Sequence, residues 1–169
     1  MSKKPNTKRA PTNYKKALSR LMAVQIFYQF DFFNRERKLD EIKEELIENY
    51  LLDPEKETSS YRAEIDESFL NNLILGLTLD GEKIDAEISE FLKGDWSLDK
   101  LEDVSLQILR LAAFELKFLP EIPAKVVIDE YVDIAASFFD KKRLTFINAT
   151  LDALAKKFRA VEFESVAAA

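Results

Sequence analysis

The chain has 169 residues, a formal net charge of −6 and hydrophobic residues at 47% of its positions, which is enough apolar material for a buried core. It contains no Cys and no His, so disulfides, thiol nucleophiles, thiolate metal sites and imidazole bases are excluded. Its 3 Gly and 5 Pro are too few for a protein of many short strands. This composition favours a helical binding protein over an enzyme and gives no reason to expect a cofactor.

Positive charge is concentrated at the start of this acidic chain. The first twenty residues hold seven basic side chains and no acidic one, whereas the remaining 149 hold 18 basic and 31 acidic side chains. The basic residues are Lys3, Lys4, Lys8, Arg9, Lys15, Lys16 and Arg20. Because Lys and Arg bind nucleic acids mainly by neutralising phosphates, this segment predicts a polyanionic ligand, RNA above all. Charge alone also leaves open DNA, an acidic protein, anionic lipid, or a solubilising terminus without a ligand.

The basic start does not have the pattern of a targeting signal. Gln25, Gln29 and Asp31 interrupt the apolar run that follows it, and no small-residue cleavage site comes after that run. The chain has no uncharged apolar stretch of about 18 residues, so we expect no membrane span. We expect a soluble, cytoplasmic protein.

Seven helical segments are predicted, and the first runs from about Thr12 to Phe33. Pro11 suits the first turn of a helix, and from Leu21 onward the segment is apolar on nearly every side. We therefore expect other helices to surround it. A stripe at helical spacing predicts the second helix: Leu39, Ile42, Leu46 and Tyr50. The following LLDPEKETSSY, residues 51–61, is typical of a loop.

The third and fourth predicted helices meet near Gly81. Apolar residues four apart mark the third helix: Ile65, Phe69, Leu73 and Leu77. The fourth carries Ile84, Ile88 and either Phe91 or Leu92. The stretch GDWSLDKLE then predicts a break and a new start, where Asp99 and Glu102 have the spacing of a capping box.

Proline and aspartate residues mark the boundaries between the last three predicted helices. The fifth, about 100–118, is apolar on most sides, and Pro120 and Pro123 end it and begin the sixth. The sixth places four residues on one apolar face: Val127, Tyr131, Ile134 and Phe138. Asp140 is predicted to cap the seventh, whose stripe is Leu144, Ile147, Leu151, Leu154 and Phe158. With no strand alternation, the predicted fold class is all-α, followed by a frayed tail at 161–169.

A second basic cluster, Lys141, Lys142 and Arg143, opens the seventh helix. Basic residues oppose the positive end of the helix dipole, so this position is mildly unfavourable for the helix itself. Phe146 lies about 200° around the helix from Leu144, away from the apolar stripe. An aromatic ring beside cations can stack on an unpaired base, or it can pack against another helix of the bundle.

Four segments together resemble the NusB family of transcription antitermination factors. They are RLMAVQIFYQF (20–30), ILRLAAFEL (108–116), IPAKVVIDEYVDIA (122–135) and FINATLDALAKKFR (146–159), and they occur in the family's order. The resemblance implies a compact seven-helix bundle at residues 13–160, with a flexible basic arm at 1–12. It divides the bundle into an N-terminal subdomain at about 13–79 and a C-terminal subdomain at about 80–160.

The resemblance also implies a function without catalysis, cofactor or metal. A family member is expected to pair with NusE, a small-subunit ribosomal protein, and to bind the boxA element of nascent RNA. That complex is expected to join RNA polymerase with other Nus factors, so that transcription of ribosomal RNA passes terminators. Whether the free protein is a monomer or a homodimer stays open.

Charge and resemblance together place RNA contacts at both basic clusters. Arg20 and Tyr28 match first-helix positions of the family, and Phe146 matches an aromatic position of the last helix. The RNA-binding candidates are Lys8, Arg9, Lys15, Lys16, Arg20, Tyr28, Lys142, Arg143 and Phe146. For Tyr28, core packing of the ring is the alternative. Arg110 and Glu115 also match the family, and we expect them to be paired structural groups because an unpaired buried charge is costly.

Departures from the family pattern concern the protein partner. Ser105 stands where some members carry a Glu that can pair with the partner, and Lys142 stands where an acidic residue is frequent. Both are therefore candidate partner-binding positions. Ala149 replaces a Gly of the family. Lys142 in place of an acid would strengthen an RNA contact and weaken a protein contact at the same place.

Two other functions are compatible with the sequence. NusB-like domains also occur attached to RNA cytosine methyltransferases, so the chain could be an RNA-binding module that assists modification of rRNA. Alternatively, a helical protein–protein adaptor would dock its basic start on an acidic partner and need no RNA. The salt dependence of RNA binding separates the adaptor from the RNA-binding proteins.

Overall fold

The computed structural model describes residues 11–51, 65–92, 97–101 and 103–167. All regular structure within these ranges is helical, which confirms the predicted all-α fold. The α-helices are α1 (Pro11–Phe32), α2 (Leu39–Leu51), α3 (Glu67–Ser89), α4 (Asp103–Phe118), α5 (Ala124–Ala136), α6 (Lys141–Phe158) and α7 (Ala160–Ala167), with a 3-10 turn at Leu98–Lys100. Residues 1–10 of the predicted arm and most of the predicted loop at 51–61 lie outside the described residues. Among the described helices, none combines the length and the apolar character needed to span a membrane.

The predicted break at Gly81 is not present. The predicted third and fourth helices form one helix, α3, of 23 residues. A single glycine weakens a helix by about 1 kcal/mol but does not end it when packing holds both halves in place. Buried residues on both sides of Gly81, such as Leu77 and Ile84, provide that packing. The boundary predicted between the two subdomains, at residues 79 and 80, falls inside this helix.

The tail predicted to fray from residue 161 instead forms α7 up to Ala167. The chain leaves the helical conformation at Arg159, with φ −129° and ψ 40°, and starts the new helix at the next residue. Phe163 then packs partly against the core. Tertiary contacts therefore stabilise the short α7, and the local sequence pattern does not predict them.

The core is built around α4. Residues 111–116 are buried without interruption, and α4 packs against α1, α3, α5 and α6. This explains why its sequence is apolar on most sides. α1 packs against α2, α3, α4 and α5, which confirms that other helices surround it.

α3 and α4 approach each other closely at Gly76. A Cβ atom built on this glycine would lie 2.1 Å from two carbon atoms of the Phe114 ring. No side chain fits at that distance. Gly76 therefore allows the aromatic ring of α4 to lie directly on the backbone of α3.

Side-chain caps begin two of the helices. The backbone N–H of Arg143 donates to Oδ1 of Asp140 at 3.0 Å, which confirms the cap predicted for the last long helix. Asp66 caps α3 in the same way through the N–H of Phe69. The predicted capping box is wrong at Asp99, because that residue lies inside the 3-10 turn and α4 begins only at Asp103. Glu102 lies outside the described residues.

Candidate nucleic-acid interface

The described part of the basic start lies on the first turns of α1. Lys15 and Lys16 are half-buried. The Nζ atom of Lys16 lies 5.4 Å from the centroid of the Phe69 ring, which belongs to α3. Lys8 and Arg9 lie outside the described residues.

Arg20 is buried and ion-paired. Its guanidinium donates to both carboxylate oxygens of Glu115, with two of the distances at 2.9 Å, and the residue is 2% exposed. Burial would lower the pKa of Arg20, but the hydrogen bonds and charge of Glu115 outweigh burial and raise that pKa above its ordinary value. The direct RNA contact predicted for Arg20 is therefore corrected to a structural role. The pairing predicted for Glu115 is confirmed.

A groove runs between the start of α1 and α5, with a volume of about 620 Å³. We call it the α1–α5 groove. Its lining residues are Lys16, Arg20, Glu121, Ile122, Pro123, Val126, Asp129, Glu130, Val132 and Asp133. Because Glu115 neutralises Arg20, the four carboxylates outweigh the single charge of Lys16, and the groove is net negative. Lys16 and Arg20 both line the groove, but they do not act as a pair of cations, because Glu115 of α4 neutralises Arg20.

The four carboxylates of this groove and Lys16 form no ion pairs with described residues. Glu121, Asp129 and Asp133 are exposed, and Glu130 is half-buried. Such a surface repels phosphate and attracts cationic groups. Across the described residues, no set of acidic side chains is arranged to hold a metal ion.

A second groove lies where α5 ends and α6 begins, with a volume of about 650 Å³. We call it the aromatic groove. Its lining residues are Phe138, Phe139, Asp140, Lys142, Arg143, Thr145, Phe146 and Ala149. The guanidinium of Arg143 lies 5.8 Å from the centroid of the Phe139 ring, and Lys142 is exposed. Three aromatic rings and two cations therefore meet here, including three of the residues predicted to bind RNA.

Local folding explains why these groups converge. α5 ends at Ala136, and the cap at Asp140 starts α6 one residue later. The intervening turn carries Phe138 and Phe139 beside the first turn of α6, where Lys142 and Arg143 lie. The short connection between α5 and α6 therefore brings the aromatic and basic side chains of this groove together.

Sequence reasoning missed the position of Phe138. It was predicted on the buried face of the sixth helix, but it lies beyond the end of α5 and is 45% exposed. The prediction is corrected because a helical stripe was extended past the last helical residue. The predicted cap at Asp140 could have shown this, because a new helix that starts at residue 141 requires the previous helix to end before Phe138 and Phe139.

Ser105 is not available to a partner. It lies in the first turn of α4 and is 0% exposed. The predicted partner contact at Ser105 is therefore corrected: its hydroxyl lies inside the bundle, because α4 is enclosed by other helices. The other predicted partner position, Lys142, is exposed in the aromatic groove.

Tyr28 has an intermediate position. It is half-buried, and its ring centroid lies 6.1 Å from that of Phe32, which is 61% exposed. The ring therefore belongs to a partly exposed aromatic pair at the end of α1. Its predicted contact with RNA stays a prediction.

Arg110 ties three helices together. It donates to Asp85 of α3 at 2.7 Å and to Asp31 of α1 at 3.0 Å, and Gln107 donates to the same Asp31 at 2.7 Å. Burial would lower the pKa of Arg110, but Asp85 outweighs it and raises that pKa. This confirms Arg110 as a paired structural group and explains why Asp31 interrupts the apolar run of α1.

Comparison with known proteins identifies the family. The NusB family model matches residues 17–156. The transcription antitermination protein NusB of Bradyrhizobium diazoefficiens is 34% identical over 162 residues, which cover 94% of this chain and 96% of the relative. The protein of that name from Rhodopseudomonas palustris (strain BisB18) is 34% identical over 167 residues, or 96% of each chain.

Solved structures agree with this comparison. NusB of T. maritima has a TM-score of 0.70 and 32% identity, and the match covers 88% of this chain and 96% of that one. A crystal structure of the antitermination factors NusB and NusE in complex with dsRNA gives a TM-score of 0.68 and 27% identity, with 86% and 98% covered. Since the family model spans most of the chain and relatives above 30% identity match nearly its full length, the chain belongs to the NusB family.

Proposed function

We propose that this protein is a non-catalytic transcription antitermination factor that binds RNA together with a NusE protein. The observation that carries the proposal is its similarity, over nearly the full length of both chains, to proteins named transcription antitermination protein NusB. A structural neighbour that contains NusB, NusE and dsRNA supports both partners. In finer detail, we propose boxA of ribosomal RNA leaders as the RNA, and RNA polymerase with other Nus factors as the complex that is joined.

The aromatic groove is the proposed RNA-contacting surface of the described residues. The exposed Phe138 offers a ring face on which an unpaired base can stack, which is worth about 1–3 kcal/mol. Phe146 lines the same groove but also packs partly against the core, so we propose only an edge contact for it. Lys142 and Arg143 lie beside these rings and would neutralise phosphates. This combination of rings and cations is what single-stranded RNA requires, because its bases are open and its backbone is charged.

The basic start is a second proposed contact. The support for this contact is the positive charge of Lys8, Arg9 and Lys15. Lys16 is among the residues that line the net negative α1–α5 groove. The carboxylates of that groove would keep phosphates out of its interior. We therefore propose that RNA passes along the outside of α1 rather than into the groove.

The deciding experiment is co-purification with the cognate NusE, followed by a gel shift on the ribosomal leader RNA of the same organism at several salt concentrations. We expect a complex on boxA-containing RNA whose affinity falls steeply as salt rises. A scrambled RNA of equal length is the control. If the two RNAs bind equally, the boxA assignment fails; if neither binds at low salt, RNA binding itself fails.

A protein–protein adaptor without RNA is the second candidate function. The α1–α5 groove favours it, because its four carboxylates form no ion pair with described residues and suit a cationic protein segment. A stable complex with NusE in the absence of any RNA affinity would be the result expected for such an adaptor.

A further inference from the structure

The chain beyond α6 reaches back to the turn between α4 and α5. This turn, residues 119–123, links two helices whose ends leave backbone groups without partners inside the helix. Arg159 is 8% exposed and points its guanidinium into this turn. It donates to the backbone carbonyls of Glu115, Leu116, Leu119, Pro120 and Ile122 at 2.5 to 3.4 Å. A planar fork of five N–H donors makes this possible, and lysine has no such fork.

Glu162 completes the arrangement from α7. One carboxylate oxygen accepts from Arg159 at 2.8 Å, and the other accepts from the backbone N–H of Ala124 at 3.0 Å. Ala124 is the first residue of α5, and Pro123 before it provides no side-chain cap. Glu162 therefore caps α5 from a different helix. We call Arg159 and Glu162 the clasp.

The clasp holds one wall of the α1–α5 groove. The turn that it binds contributes Glu121, Ile122 and Pro123 to that groove. Lys16 lines the same groove and forms no ion pair with described residues, although four carboxylates lie around it. Lys16 is half-buried, with its Nζ over the Phe69 ring, so a carboxylate of the opposite wall pairs with it only if that wall moves toward it.

We propose that Arg159 and Glu162 are positioning residues for RNA binding, which keep the wall of the α1–α5 groove in place so that Lys16 stays available to a phosphate. This inference rests on the proposed RNA-binding function. Without the clasp, the α4–α5 turn relaxes and Glu121 swings toward Lys16. Lys16 is then neutralised by the protein itself, and one phosphate contact is lost.

The test compares four proteins, each bound to the cognate NusE, in RNA titrations at several salt concentrations: the parent, Glu162→Ala, Glu162→Ala with Glu121→Gln, and Ile88→Val. Ile88→Val removes a buried methylene group in α3, far along the chain from the clasp, and serves as the control for lowered stability. Unfolding in urea shows that each protein is folded under the binding conditions.

We expect Glu162→Ala to weaken RNA binding by about fivefold, with a slope of log K against log salt that is less steep by about 0.7, the value for one lost contact to a single strand. Adding Glu121→Gln should restore most of the affinity, because the competing charge is gone. Ile88→Val should bind like the parent.

Three results overturn the inference in distinguishable ways. Binding by Glu162→Ala that equals that of the parent overturns the clasp while leaving the proposed function intact. Weaker binding with an unchanged salt slope and no rescue by Glu121→Gln shows a purely structural effect and overturns the role of Lys16. Absence of binding by the parent overturns the proposed function, on which the inference rests.

Discussion

At the scale of single residues, Arg20 and Glu115 show how a partner decides a role. Its position in a basic segment predicts that Arg20 contacts phosphate, yet its guanidinium forms an ion pair with a carboxylate 95 positions away. Breaking a buried ion pair by removing one partner leaves an unpaired charge inside the protein, which is strongly destabilising. Arg20 therefore stabilises the fold, and any effect of Arg20 on the proposed RNA binding is indirect.

The first prediction follows from this pair. Glu115→Ala should lower the free energy of unfolding by about 3–5 kcal/mol, because it leaves Arg20 charged and buried. Arg20→Met combined with Glu115→Leu should recover much of the loss, since apolar side chains of similar size fill the same space. Urea denaturation at neutral pH measures both. Arg20→Ala that weakened RNA binding with no change in stability would instead support the direct contact.

The second prediction concerns pH. The hydrogen bond from Ala124, and then the bond and charge of Arg159, lower the pKa of Glu162 below its ordinary value of 4.5. A carboxylate with a lowered folded-state pKa contributes stability above its unfolded pKa and loses it as the pH falls through the folded value. The urea midpoint of Glu162→Gln should therefore lie below that of the parent at pH 7, and this gap should close below about pH 4.5.

A matched control for the pH prediction is available in the same helix. Glu164 is exposed and takes no part in the clasp. Glu164→Gln should show no gap that closes with falling pH. A gap for Glu162→Gln that did not narrow at all as the pH fell below 4.5 would mean that the contribution of Glu162 does not depend on its charge.

At the scale of the helices, the two glycines of α3 show the difference between intrinsic helix propensity and tertiary packing. Gly81 lies in the same helix as Gly76, but nothing lies within 4 Å of the place where its Cβ would stand. Gly76 instead lies against Phe114. The same residue type is thus replaceable at one position and required at the other, which a sequence pattern alone does not reveal.

The third prediction uses this pair of glycines. Gly81→Ala should raise the free energy of unfolding by roughly 0.5–1 kcal/mol, because alanine is the better helix former. Gly76→Ala should lower it despite the same gain, because the new methyl group would overlap the Phe114 ring. Thermal and urea unfolding measure the two variants side by side. Destabilisation by Gly81→Ala would support the helix break that the sequence predicted there.

At the scale of the whole molecule, the distribution of charge matters more than its sum. An acidic protein binds a polyanion only where cations are locally in excess. Of the two grooves, the α1–α5 groove is net negative, whereas the aromatic groove combines Lys142 and Arg143 with a single acid, Asp140, whose side chain caps α6. The proposed RNA contacts therefore follow the local sign of charge.

The fourth prediction separates stacking from charge in the aromatic groove. Phe138→Ala should weaken RNA binding by about fivefold or more, with an unchanged salt slope, because stacking involves no counterion. Lys142→Gln should make the slope less steep by about 0.7. Leu79→Ala, which shortens an apolar side chain of α3 that is 71% exposed, is the control. Equal binding by all three variants and the parent would place the RNA elsewhere.

The sequence by itself determined the helical class, the helix ends at Pro123 and Asp140, and the enclosure of α1 and α4, because these depend on groups within one or two turns of each other. Family likeness added the fold and the proposed partners. Only the tertiary structure decided that Arg20 is buried, that α3 continues through Gly81, and that Phe138 lies in a groove. From the sequence, Arg159 resembles the other basic residues near the end of its helix, although its guanidinium binds backbone carbonyls some 40 residues away. Such roles depend on which distant groups the tertiary packing brings into contact, and local sequence periodicity does not predict those contacts.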